Sequence, residues 1–143
     1  MKREKRFKWE PIAGIAPTVR LINLKYKPNL LVLDVQDERD RSAPMLTINF
    51  PNFLGFRIID EGDLLKRTAY DIDESLSKIK IQKDYYYPWS LLIVENSEYL
   101  DFFCDKNAST NKKYGIEQYS IFTPNEVVEI LTPEDYKPTL AWI

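Results

Sequence analysis

The chain has no histidine, one cysteine and four glycines in 143 residues. Each shortage excludes some chemistry. Without histidine there is no Ser-His-Asp or Cys-His nucleophile, no imidazole ligand for zinc, and no use of the commonest general base. A lone cysteine forms neither an intramolecular disulfide nor a thiolate zinc site. Its place, Cys104 beside Phe102 and Phe103, predicts a buried thiol rather than a nucleophile. The scattered glycines make no Gly-x-Gly-x-x-Gly or Walker A pattern, which argues against nucleotide-dependent chemistry. No stretch approaches the roughly 18 apolar residues of a membrane helix. The basic N-terminus has no apolar run of about 7–15 residues, so it does not read as a signal peptide. A cytoplasmic chain without a cofactor is expected.

What the chain does have is a core. Hydrophobic residues make up 44% and aromatic residues 13%, too much for a disordered segment. The length suits one domain. Charge is unevenly spread: residues 2–8 hold five bases and one acid, whereas residues 84–143 hold ten acids against four lysines. The expected organisation is a flexible basic arm at 1–8 and a single domain at 9–143. The arm could touch nucleic acid or anionic lipid, but the acidic remainder opposes that.

Residues 9–17, with Pro11, Gly14 and Pro17, read as an extended lead-in. Residues 18–26 and 30–35 alternate around Lys27-Pro28-Asn29 and predict a hairpin. Val19 and Leu21 are expected on one face, and Ile22, Leu24 and Tyr26 on the other. Residues 37–42 predict an exposed tip. Residues 45–50 predict a third strand, with Leu46, Ile48 and Phe50 on one side and Pro51 ending it. Gly55 and residues 56–59 predict a fourth. A brief helix near 64–69 and an ambiguous stretch at 71–83 follow. Residues 90–94 predict a buried strand. Asn96 or Ser97 is then expected to cap a helix over about 97–105, with Tyr99, Phe102 and Phe103 as its packing stripe. Residues 115–122 predict a strand. Thr123-Pro124-Asn125-Glu126 has the form of a capping box, opening either a helical turn or a turn into a strand at 127–131. The tail is extended and is expected to dock Leu140 and Trp142. The fold class is α+β, a mostly antiparallel twisted sheet with one well-formed helix and one or two short ones.

Two groups could carry function. Asp60, Glu61 and Asp63, with Asp71, Asp73 and Glu74, could bind a hard cation or act as a carboxylate pair, although acids at helix starts also serve as caps. Tyr85, Tyr86, Tyr87 and Trp89 form the densest aromatic group. Tyrosine and tryptophan supply large contact areas with a polar handle, so the group suits an interface. At least half of it is also expected to face the core.

The run Phe50-Pro51-Asn52-Phe53, then Gly55 through Leu64, Trp89, Glu95-Asn96-Ser97-Glu98-Tyr99-Leu100 and Tyr119-Ser120-Ile121 carries a resemblance. Over residues 45–131 the chain resembles small uncharacterised bacterial proteins, some of which look like immunity proteins of contact-dependent or polymorphic toxin systems. The resemblance implies a cytoplasmic α+β protein that acts by binding, and no catalytic residue carries over with it. The leading expectation is therefore a non-enzymatic domain that occludes a basic toxin. Tyr85, Tyr86, Tyr87 and Trp89 would anchor the partner, and Glu95, Glu98 and Asp101 would steer it. One alternative is a self-associating subunit, a homodimer in its simplest form. Another is a carboxylate hydrolase using Asp60, Glu61 or Asp63.

Overall fold

The hairpin read at residues 18–35 opens a two-sheet architecture in the computed structural model, which describes residues 4–60, 89–106 and 115–143. Along these residues run β1 (Lys5–Lys8), β2 (Val19–Lys27), β3 (Leu30–Asp37), β4 (Leu46–Pro51), β5 (Gly55–Asp60), β6 (Leu91–Glu95), helix α1 (Glu98–Lys106), β7 (Ile116–Phe122), β8 (Glu126–Pro133) and β9 (Thr139–Trp142). Strands β1-β6-β7-β8-β5 form one sheet and β2-β3-β4-β9 the other. Every pairing is antiparallel. The α+β expectation holds in a β-dominant form, with one short helix among the described residues.

The sheets meet through one core. Leu31, Leu33 and Val35 of β3 and Leu46, Ile48 and Phe50 of β4 face inward and are buried, as period-two alternation requires. Opposite them stand Leu91, Tyr119, Ile121, Val128 and Ile130. Trp9, Phe50 and Tyr119 bridge the layers, with ring centroids 4.7 Å (Trp9–Tyr119), 5.7 Å (Phe50–Tyr119) and 6.3 Å (Trp9–Phe50) apart. These separations lie within the usual range of aromatic pairs.

Several expectations change. Residues 5–8 are not a loose arm: β1 pairs with β6, placing Lys5 opposite Glu95 and Phe7 opposite Ile93. The hairpin forms around Pro28 and Asn29, where Asn29 takes φ 72°, a conformation asparagine tolerates. Its faces differ from strict alternation, because a register shift between Leu21 and Asn23 lets Leu24 join Leu21 against the core. Ile22 is left outward, 39% exposed. Of the helical stripe, Tyr99 is buried while Phe102 faces out; Cys104 is buried as expected.

The capping-box sequence makes a β-turn. Thr123 accepts the Glu126 amide at 3.0 Å through Oγ1, its own amide donates to the Glu126 carbonyl at 2.9 Å, and β8 follows. Leu140 packs on the core through the pairing of β9 with β4. Residues 64–69 and 71–83, with the acids Glu61, Asp63, Asp71, Asp73 and Glu74, lie outside the described residues.

Candidate functional site

The five-stranded sheet is buried on both faces at its centre, so its outer face needs a partner of its own. Two rows cross that face in register. One runs Arg6–Val94–Gln118–Leu131–Gly55, the next Lys8–Leu92–Ser120–Glu129–Arg57. Period two sends Gln118, Ser120 and Glu129 to the side of the sheet opposite Tyr119, Ile121, Val128 and Ile130. Polar groups at the middle of the rows are buried: Gln118 is 1% exposed and Glu129 7%.

Helix α1 is tied to this face. Ser97 caps it, accepting the Leu100 amide at 2.9 Å, and the same hydroxyl donates to the Gln118 Oε1 atom. The Gln118 amide nitrogen donates to Ser120 Oγ at 3.0 Å and to Glu129 Oε2 at 2.7 Å. Arg57 Nε donates to Glu129 Oε1 at 2.8 Å, and its guanidinium lies 4.3 Å from the centre of the Tyr99 ring. At the helix start, Glu4 Oε2 accepts the Glu98 amide at 2.8 Å, and Arg6 donates to the other oxygen of Glu4. A carboxylate at a helix N-terminus is favoured by the dipole. A chain of hydrogen bonds thus joins β1, β7, β8 and β5 to one helix.

Burial acts on two titratable groups of this layer. It raises the Glu4 carboxyl above its ordinary value of 4.5, against the lowering pull of Arg6 and the Glu98 amide, with Glu129 and Glu98 adding repulsion. It also raises the Tyr99 phenol. On the inner face burial raises Tyr119 as well, helped by its 2.8 Å bond to Glu117. The charges of the network answer one another, Arg57 with Glu129 and Arg6 with Glu4. Such a network rigidifies the layer. Among the described residues no cluster of three or more His, Cys, Asp or Glu could hold a metal ion. No helix among them is long and apolar enough to cross a membrane.

Of the residues singled out from sequence, Glu95 ends β6 and Glu98 and Asp101 lie in the first turn of α1, all three exposed. Phe102 follows, 56% exposed. Trp89 is different: it is 6% exposed, donates from Nε1 to the Trp9 carbonyl at 3.0 Å, and carries the Lys8 ammonium 3.8 Å from its ring centre. It belongs to packing, as a member of the buried core, and it is not a surface anchor. Tyr85, Tyr86 and Tyr87 lie outside the described residues.

Sequence reading missed Glu4, Arg57, Gln118 and Glu129. A signal was present for two of them. Glu129 interrupts the apolar run Val127-Val128-Glu129-Ile130-Leu131, and Arg57 interrupts Phe56-Arg57-Ile58-Ile59. A charge inside a buried strand needs a partner, and these two are opposite one another. Comparison with protein-family models, with curated proteins and with solved structures finds no match for this chain.

Proposed function

We propose that the chain is a non-catalytic protein-binding domain that works by occluding a basic partner, in its most concrete form an immunity-type protein neutralising a toxin domain in the cytoplasm. The observation that carries this reading is the outward side of α1 and the end of β6: Glu95, Glu98 and Asp101, with an exposed Phe102, on a helix whose N-terminal end is tied through Ser97 to Gln118 and through the Glu98 amide to Glu4. Acids steer a basic partner into place, and an aromatic ring supplies contact energy once it arrives. A pre-fixed helix loses little freedom on binding.

The test is capture from a lysate of the source cells with the wild-type chain and with a Glu98→Lys/Asp101→Lys variant, washed at low and high salt. The expected result is one stoichiometric basic protein with toxic activity, retained by the wild type at low salt and lost in the variant. A partner held equally by both would overturn the assignment of this face. A second reading, self-association, is favoured by β9, an uncharged strand at the edge of its sheet among the described residues, whose last residue Trp142 and the following Ile143 are 44% and 70% exposed.

A further inference from the structure

At the end of the four-stranded sheet away from the β2–β3 turn, the sheet and the Gly14–Ala16 lead-in enclose a cavity of about 320 Å³. Its sheet wall is one inward row, Trp142–Leu46–Val35, set by the pairings of β9 with β4 and β4 with β3. The lead-in at Gly14–Ala16 faces that row, and Ala43 and Pro44 form the rim. Asp37 is the one charged side chain among the lining residues.

The walls are built. Gln36 donates its amide nitrogen to the carbonyls of Arg41 at 3.0 Å and Ala43 at 2.7 Å, fixing the rim. The Glu38 amide donates to the Thr18 carbonyl at 3.1 Å, and the Ser90 amide to that of Pro17 at 2.8 Å, fixing the lead-in. Gly14 takes φ 89°, which side chains disfavour, and a Cβ there would stand 3.5 Å from the Trp142 ring. The chain therefore passes close to the indole without a side chain filling the gap. The volume is near the lower end of the roughly 300–1,000 Å³ of ordinary ligand pockets, which are apolar with few polar groups and mostly pre-formed.

We propose that this cavity binds a compact aromatic molecule carrying one cationic amine, its ring against Ile15, Val35 and Leu46 beside the Trp142 indole and its amine at the Asp37 carboxylate. The chemistry follows from the lining. Leu46, Val35, Ile15 and the indole accept a ring. Asp37 spends Oδ1 on the Arg39 amide at 2.9 Å, and a carboxylate accepts several further bonds. This site is separate from the α1 surface and does not depend on the protein-binding reading.

The experiment is an amide NMR titration of the full chain with phenethylamine, and with 3-phenylpropionate as the matched anion. Phenethylamine is expected to give saturable shifts at residues 14–19, 35–37, 43–46 and 142, with Kd on the order of 1 mM for so small a probe. The anion is expected to bind about tenfold more weakly. Asp37→Asn, which keeps the acceptor for Arg39, should remove that preference, and Ala43→Leu should weaken both probes. Absence of saturable shifts up to about 20 mM, far above the expected Kd, would overturn the site. Shifts scattered over the molecule would do the same. An amine preference that survives Asp37→Asn would overturn the role given to the carboxylate.

Discussion

Glu129 shows how much one buried side chain can hold. Both its oxygens are engaged, one by Arg57 at 2.8 Å and one by Gln118 at 2.7 Å, with its side chain 9% exposed. Removing one member of a buried ion pair leaves the other uncompensated, at about 3–5 kcal/mol. The Arg57 side chain is 31% exposed, so water relieves part of that. Glu129→Ala is therefore expected to cost about 2–4 kcal/mol in urea unfolding, and Glu129→Gln about half as much, since an amide oxygen still accepts. Equal losses would show that packing, not charge, is what the residue supplies. Glu4 makes the complementary case. Its folded pKa is raised, so between its ordinary value of 4.5 and the folded value the native state binds more proton than the unfolded chain. Its contribution is fully present below 4.5 and is lost as pH rises through the folded value. Stability should decline with pH in the window just above 4.5, and Glu4→Gln should flatten that decline in melting curves taken across it. An unchanged slope would mean that another group sets it.

At the scale of elements, α1 sits on a glycine. A Cβ at Gly55 would come within 3.2 Å of both Phe103 Cε2 and Tyr99 Oη, tighter than ordinary packing. Gly55→Val is expected to lift the helix from β5 and cost about 1–3 kcal/mol by overpacking, read by thermal unfolding. Ser97→Ala removes the cap and a partner of Gln118 together, and should cost about 1–2 kcal/mol. If both variants melt like the wild type, the helix contributes little to the cooperative unit. The elements themselves were largely legible from sequence. The stripe Leu46, Ile48, Phe50 fixed a strand face, and Ser97 with Glu98 marked the helix start. What escaped was set by partners distant in the chain. β1 is four residues with three charges, KRFK, and becomes a strand only because β6 offers it an edge. The shift at Ile22 adds one residue to β2 without any change of composition that would announce it. Gln118 and Ser120 alternate like a water-facing row, yet their face lies under the bonded layer that includes Ser97 and Glu129. For the candidate site the sequence supplied the outward acids and not the network that holds them.

For the molecule as a whole, what it meets depends on which edges the two sheets present among the described residues. β1 carries Lys5 and Lys8, and β2 carries Lys25, Lys27 and an irregular register, which are common guards against edge pairing. β9 has the sequence TLAW and no such guard. Its outward positions, Thr139 and Ala141, are exposed, and Trp142 and Ile143 extend the apolar surface. If two copies associate through a sheet edge, β9 against β9 is the pairing that requires no charge to be buried. It would join the two four-stranded sheets into one antiparallel sheet about a two-fold axis. A strand of four residues offers few bonds, so the dimer should be weak, with Kd on the order of 100 μM. Sedimentation equilibrium over a concentration series is expected to show it. Ala141→Lys should abolish it by placing like charges near each other across the new pair, while leaving the melting temperature within a few degrees. A monomer at every concentration would exclude the edge as an interface. A dimer unaffected by Ala141→Lys would place the contact elsewhere, with the acid-rimmed Phe102 on α1 as the surface to mutate next.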